Sequence, residues 1–123
     1  DRLPSQWCQA SLVRHDGGED SPAGTQEQFI FCGPGEGRRK LTIKASSDEC
    51  QSWAQSRMVY SGHSAYSAMA VLPDGAVGVL YEKDAYRRLS FVRFDPRRVG
   101  DGEAGREPAR GNNSVNHVIR QKK

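Results

Sequence analysis

Seven short apolar runs, each bounded by Gly, Pro, Asp or Ser, recur about every ten residues, and none carries a helical period. They are Gln9–His15, Gln28–Cys32, Lys40–Ala45, Arg57–Tyr60, Ala65–Leu72, Ala76–Glu82 and Arg88–Phe94. Lys40–Ala45 and Arg88–Phe94 alternate apolar with polar residues, the period of a strand with one face buried. Pro73-Asp74-Gly75 separates two of the runs and is strong hairpin chemistry: Pro presets one turn dihedral and Gly accepts a positive one. The pattern predicts an all-β sandwich, barrel or propeller. Four strands followed by three suit propeller blades, each of which is a four-stranded sheet.

Composition narrows the reading further. The chain has 123 residues, 36% of them hydrophobic, with a mean hydropathy of −0.74, which is lean for a self-sufficient core. No apolar run approaches the ~18 residues that a membrane-spanning helix needs. Asp1-Arg2-Leu3-Pro4 is neither a signal peptide nor an ordinary start, so a beginning outside this sequence is expected. The net charge of +3 is unevenly spread. Residues 97–123 hold seven basic side chains against three acidic ones, whereas residues 1–96 hold eleven against twelve. The body is therefore not a basic nucleic-acid surface, and no nucleic-acid partner is expected. The Gly-, Arg- and Asn-rich stretch 97–123 has too little apolar surface to offset its ordering entropy and reads as a flexible, disordered tail. Asn112-Asn113-Ser114 is a weak glycosylation signal. Cys8, Cys32 and Cys50 form no C-x-x-C pair, and His15, His63 and His117 are equally scattered, so no metal site is implied.

Three local patterns carry chemistry. Ser46-x-Asp48-x-Cys50-x-x-Trp53 reads as a turn in which Ser and Asp oxygens accept backbone N–H groups while Trp53 packs inside. Ser64-Ala-Tyr66-Ser leads through Pro73-Asp74-Gly75 to Gly78-Val-Leu-Tyr-Glu82. If Leu72 faces Ala76 across the turn, Ala70 faces Gly78, Ala68 faces Leu80 and Tyr66 faces Glu82. Opposed residues share a face with Cβ atoms about 4.5–5.5 Å apart, so a phenol and a carboxylate would meet beside small residues. A slip of one residue would undo that pairing. The third pattern is Gly33-Pro-Gly-Glu-Gly-Arg38-Arg-Lys-Leu41-Thr, a turn that lacks the G-K-[ST] and the helix of a phosphate loop.

Together these segments resemble the sialidases with Asp-box repeats, in that family's order along the chain over residues 3–96. The Ser46–Trp53 stretch is similar to the Asp-box S-x-D-x-G-x-T-W, with Cys50 in place of Gly and Ser52 in place of Thr. The resemblance implies about two blades of a six-bladed β-propeller, residues 1–96 being the C-terminal part, followed by the basic tail 97–123. It implies that Tyr66 is the catalytic nucleophile. Glu82 holds the first arginine of the substrate-binding triad, and Arg38, favoured over Arg39 by its spacing to Leu41, is the third. The implied activity is that of an exo-α-sialidase, a retaining glycosidase acting on sialylated glycoproteins, glycolipids or oligosaccharides with no cofactor or metal. An extracellular or lysosomal-type compartment goes with it.

The residue types suit that chemistry. Sialic acid carries a carboxylate on its anomeric carbon, which repels an anionic nucleophile, while a tyrosine stays neutral until a base takes its proton. A planar guanidinium grips a carboxylate with two parallel hydrogen bonds. The family also uses an Asp acid/base, a Glu that activates the tyrosine and two further arginines, and nothing before Arg38 supplies them: Arg2 and Arg14 sit in no matching motif. The remaining blades of a parent chain are the expected partners, and the segment alone is expected to be inactive and unstable. The alternative is a non-catalytic carbohydrate-binding or structural propeller. His63 lacks an orienting partner in the sequence and reads as a surface loop residue.

Overall fold

The computed structural model of the chain describes residue 3 and residues 8–17, 26–101 and 117–120. The sequon at 112–114 lies outside the described residues. Among these residues the protein is all-β. Strands β1 (Ser11–His15), β2 (Gln28–Gly33), β3 (Arg39–Ser46), β4 (Gln55–Val71), β5 (Val77–Lys83), β6 (Arg88–Phe94) and β7 (His117–Arg120) pair in chain order. Every pairing is antiparallel. Short 3-10 turns occupy Glu36–Arg38 and Pro96–Asp101.

The long strand β4 serves two neighbours. Its first half pairs with β3, from Ala45↔Gln55 to Arg39↔His63, and its second half pairs with β5, from Ser64↔Lys83 to Val71↔Val77. The meander therefore divides into two four-stranded groups that share β4, an arrangement that fits an incomplete piece of a β-propeller. The core lies between the groups. Ile30, Cys32, Leu41, Ile43, Ala45 and Val59 from the first group pack with Val77, Val79, Tyr81, Val92 and Val99 from the second. Apolar burial of ~25 cal/mol per Å2 across this shared cluster is what couples the two groups.

Polar contacts stitch the same seam. The Ser67 hydroxyl donates to the Cys32 carbonyl at 3.3 Å and lies 3.1 Å from the Ser11 hydroxyl, tying β4 to β1 and β2. His15 is buried; its Nε2 donates to the Gly75 carbonyl at 2.7 Å and its Nδ1 accepts the Gly17 N–H at 3.2 Å. Those bonds join the end of β1 to the β4–β5 hairpin. Burial pushes the Cys32 thiol up to about 12, opposed by its contact with Ser67. All three cysteines are free.

The segment after β3 is a polar turn. Ser46 Oγ donates to Asp48 Oδ1 at 2.7 Å and accepts the Cys50 N–H at 3.1 Å, while Asp48 Oδ1 accepts the Ser52 N–H at 2.8 Å. The Ser52 hydroxyl also donates to Asp48. The Ser52 hydroxyl and N–H, and then the Ser46 hydroxyl, hold the Asp48 carboxyl down at about 2. Trp53 is buried, edge-on to Phe31 with centroids 6.1 Å apart.

Two boundaries differ from the sequence reading. Arg57–Tyr60 and the second run, from Ala65 as far as Val71, belong to one strand, because Ser61-Gly62 is not a break: Gly62 stays extended and makes room for the Tyr60 ring. His63 accordingly sits in a strand, not a loop. Parts of the stretch 97–123 are also built into the fold. Val99, in the turn Pro96–Asp101, is 1% exposed, and His117–Arg120 pairs with β6. Buried Pro96 and Val99 anchor that turn, and Asp95 accepts the Arg97 and Arg98 N–H groups.

Candidate functional site

Three irregular segments meet where β3, β4 and β5 come together. The first is the loop from β2 into β3. Gly37 (φ 65°), Arg38 (φ 53°) and Lys40 (φ 58°) are all left-handed, and the Gly35 N–H closes the loop onto the Arg39 carbonyl at 2.7 Å. The second is a β-bulge in β4. Two residues, Ala65 and Tyr66, lie between the rungs Ser64↔Lys83 and Ser67↔Tyr81, where β5 has only Glu82. The third is the β5–β6 turn, where Asp84 (φ 53°), Ala85 (φ 54°) and Tyr86 (φ 65°) are consecutively left-handed. Each such conformation costs a non-glycine residue on the order of 1 kcal/mol or more, and strain of this kind clusters at functional sites.

The hairpin register follows the sequence reading from the turn as far as Ser67. Leu72 donates to the Ala76 carbonyl at 2.8 Å, and Ala70↔Gly78 and Ala68↔Leu80 are rungs. The bulge then removes Tyr66 from a direct rung with Glu82. The two remain neighbours by another route: Glu82 Oε2 accepts the Tyr66 backbone N–H at 3.3 Å. The carboxylate thus engages the main chain of the tyrosine, and the expected face-to-face meeting of phenol and carboxylate is replaced by this contact. The bulge leaves Tyr66 49% exposed between buried Ala65 and Ser67.

Arg38 extends from the loop that leads into β3. Its Nη1 donates to the Tyr86 hydroxyl at 2.6 Å. That bond and the electrostatic interaction with Tyr86, and to a lesser degree the nearby Cys8 and Tyr66 groups, favour the charged guanidinium. Cys8 lies in the same field: burial raises its thiol, Arg38 pulls it down, and Glu82 pushes it up. Arg38, Tyr66, Glu82 and Cys8 therefore share one electrostatic neighbourhood. Arg39 is an exposed ladder residue opposite His63.

Sequence reasoning missed Tyr86 and misplaced His63. The two rings stand edge to face, with centroids 5.1 Å apart. His63 accepts the Ala85 N–H on Nδ1 at 3.2 Å, and its carbonyl accepts the Asp84 N–H at 3.1 Å. A Tyr in a short polar turn carries no signal of this role. Among the described residues, no group of three or more His, Cys, Asp or Glu side chains is placed to hold a metal ion, and no helix is long and apolar enough to cross a membrane.

The site can thus offer a fixed cation, an exposed phenol and a carboxylate at one end of three strands, which suits an acidic, hydroxyl-rich ligand better than an apolar one. No family model and no solved structure matches the chain. Over 84 residues the chain is 34% identical to a sialidase from Micromonospora viridifaciens, a stretch covering 65% of this chain and 13% of that protein. The chain thus spans a small fraction of that relative's length, and the match supports a sialidase-like relationship.

Proposed function

We propose that residues 3–96 are the C-terminal two blades of a sialidase propeller, that Ser46–Trp53 is one of its Asp-boxes, and that the whole protein is an exo-α-sialidase. The observation that supports this reading is the bond from the Tyr66 N–H to Glu82 across β4 and β5, with Arg38 in the loop that opens the neighbouring strand β3. The 34% identity to a sialidase adds to it.

In this reading Arg38 takes the carboxylate of a terminal sialic acid, and the substrates are sialylated glycoproteins, glycolipids or oligosaccharides. The Tyr66 oxygen bonds to the anomeric carbon as the bond to the departing sugar oxygen breaks. The phenolic proton passes to a carboxylate base, and the departing oxygen takes a proton from a carboxylic acid, both supplied by other blades. Water then attacks the anomeric carbon of the tyrosyl glycoside with a second inversion, giving up a proton as the Tyr66 oxygen departs and regains one, so configuration is retained. Glu82, which accepts the Tyr66 N–H, steadies an arginine from another blade.

The test is Tyr66→Phe in the full-length protein, assayed with a chromogenic sialoside. Loss of turnover by a factor of roughly 100 or more is expected, because a phenyl ring cannot form the covalent intermediate. Unchanged turnover refutes the nucleophile. A protein that binds sialosides but never turns them over would favour the non-catalytic carbohydrate-binding propeller.

A further inference from the structure

We propose that Tyr86 is a positioning residue for Arg38, braced from behind by His63, and that the acid-binding geometry of the site depends on this pair; the inference rests on the sialidase reading for its ligand, though not for its geometry. Arg38 has a long side chain on a left-handed loop residue, and guanidinium rotamers lose on the order of 2 kcal/mol of entropy when fixed. The Tyr86 hydroxyl, 2.6 Å from Nη1, sets the direction of one of its N–H groups.

Tyr86 could not do this from an ordinary turn. Asp84, Ala85 and Tyr86 are all left-handed, a run that L-residues abandon unless something holds it. His63 holds it at two points, accepting the Asp84 N–H on its carbonyl and the Ala85 N–H on Nδ1. The same imidazole stands edge-on to the Tyr86 ring, which limits the phenol's swing. The Nδ1 contact requires that nitrogen to be unprotonated. His63 in turn is the rung partner of Arg39, next to Arg38 in sequence. The β3 loop and the β5–β6 turn are therefore registered to each other through one residue of β4. Tyr86 is 48% exposed, so removing its hydroxyl leaves the core untouched.

The experiment uses Tyr86→Phe in the full-length protein, which keeps the ring against His63 and deletes only the hydroxyl. Two readouts are needed. The first is side-chain NMR of 15N-labelled arginine: Arg38 is expected to show slow guanidinium rotation in the wild type and averaged signals in the variant. The second is affinity for N-acetylneuraminic acid and for its methyl ester. The acid is expected to bind on the order of tenfold more weakly to the variant, the usual scale for a hydrogen bond to a charged group, with the ester unaffected. In the kinetic assay KM should rise by a similar factor with kcat within about threefold. In an Arg38→Ala background Tyr86→Phe should change acid binding no further. Arg38 signals that do not respond to Tyr86→Phe overturn the proposal, whatever the ligand data show. Equal loss of acid and ester binding also overturns it, because the hydroxyl would then act on the ligand directly. A wild type that binds neither sugar removes the sialidase reading alone, and the Arg38 signals still decide the positioning role.

Discussion

Gly62 is the position where one added methyl group tests the local packing most directly. A Cβ there would stand 2.6, 2.7 and 2.8 Å from Oη, Cζ and Cε1 of Tyr60. Real side chains do not approach so closely, so the ring must leave. It is held on three sides. Its hydroxyl donates to Asp84, the Lys83 ammonium sits 4.2 Å from its centroid, and the Tyr81 ring lies 6.1 Å away at 41°. A hydrogen bond to a carboxylate contributes ~1.5–3 kcal/mol, an exposed cation–π contact ~0.5–1 and a tilted aromatic pair ~0.5–1.5. A displaced ring keeps part of the stacking, and Ala is better than Gly in a strand by ~0.5–1 kcal/mol. Gly62→Ala should therefore destabilise by about 2 kcal/mol, read as a lower urea midpoint at unchanged slope. In a Tyr60→Ala background the same substitution should be neutral or stabilising by ~0.5 kcal/mol, because nothing remains to collide with. An equal cost in both backgrounds would show that ring displacement is not the cause. The experiment also bears on the site, since Asp84 opens the turn that presents Tyr86.

The turn after β3 supplies two further tests. Cys50 adopts φ 65°, where a Cβ is strained by ~1–2 kcal/mol, and part of that gain on Cys50→Gly is lost to chain entropy; a net stabilisation of ~0.5–1 kcal/mol is expected as a higher Tm, and a lower Tm would contradict the strain argument. Asp48 is held at about 2 by Ser52 and Ser46, below its ordinary 3.8, so it stabilises the fold above about pH 4 and loses that contribution as pH falls towards 2. The stability gap between wild type and Asp48→Asn should therefore narrow over that window in acid melts, and a gap that stays constant from pH 5 to pH 2 would refute the assignment.

Strand identity was legible wherever a period of two ran unbroken. Arg88–Phe94 and the alternating β3 came out within a residue of their ends, since one buried face forces the alternation. The reading erred where one residue served two purposes. Ser61-Gly62 carries the composition of a turn, yet its glycine accommodates the Tyr60 ring inside a continuous strand. Arg97-Arg98 opens the stretch read as a tail, yet Val99 is fully buried.

The site was half legible for a related reason. Counting rungs back from Pro73-Asp74-Gly75 assumes one residue per rung, and that holds to Ser67↔Tyr81. Beyond it, Ser64 and Ala65 are both fully buried, two neighbours facing inward in succession, which is the mark of a bulge and appears in a sequence only as two small residues. The bulge turns Tyr66 outward and brings its N–H, rather than its phenol, to Glu82. Arg38 is picked out by its spacing to Leu41 in a segment resembling the family's R-x-x-L-T. Tyr86 could not be, because its left-handed turn contains no glycine to announce it. That conformation is set by His63, 23 residues away in sequence and on another strand. Positions whose backbone is strained by a distant partner rather than by their own side chain leave no local pattern. In this fold such positions sit in the β5–β6 turn, beside β4.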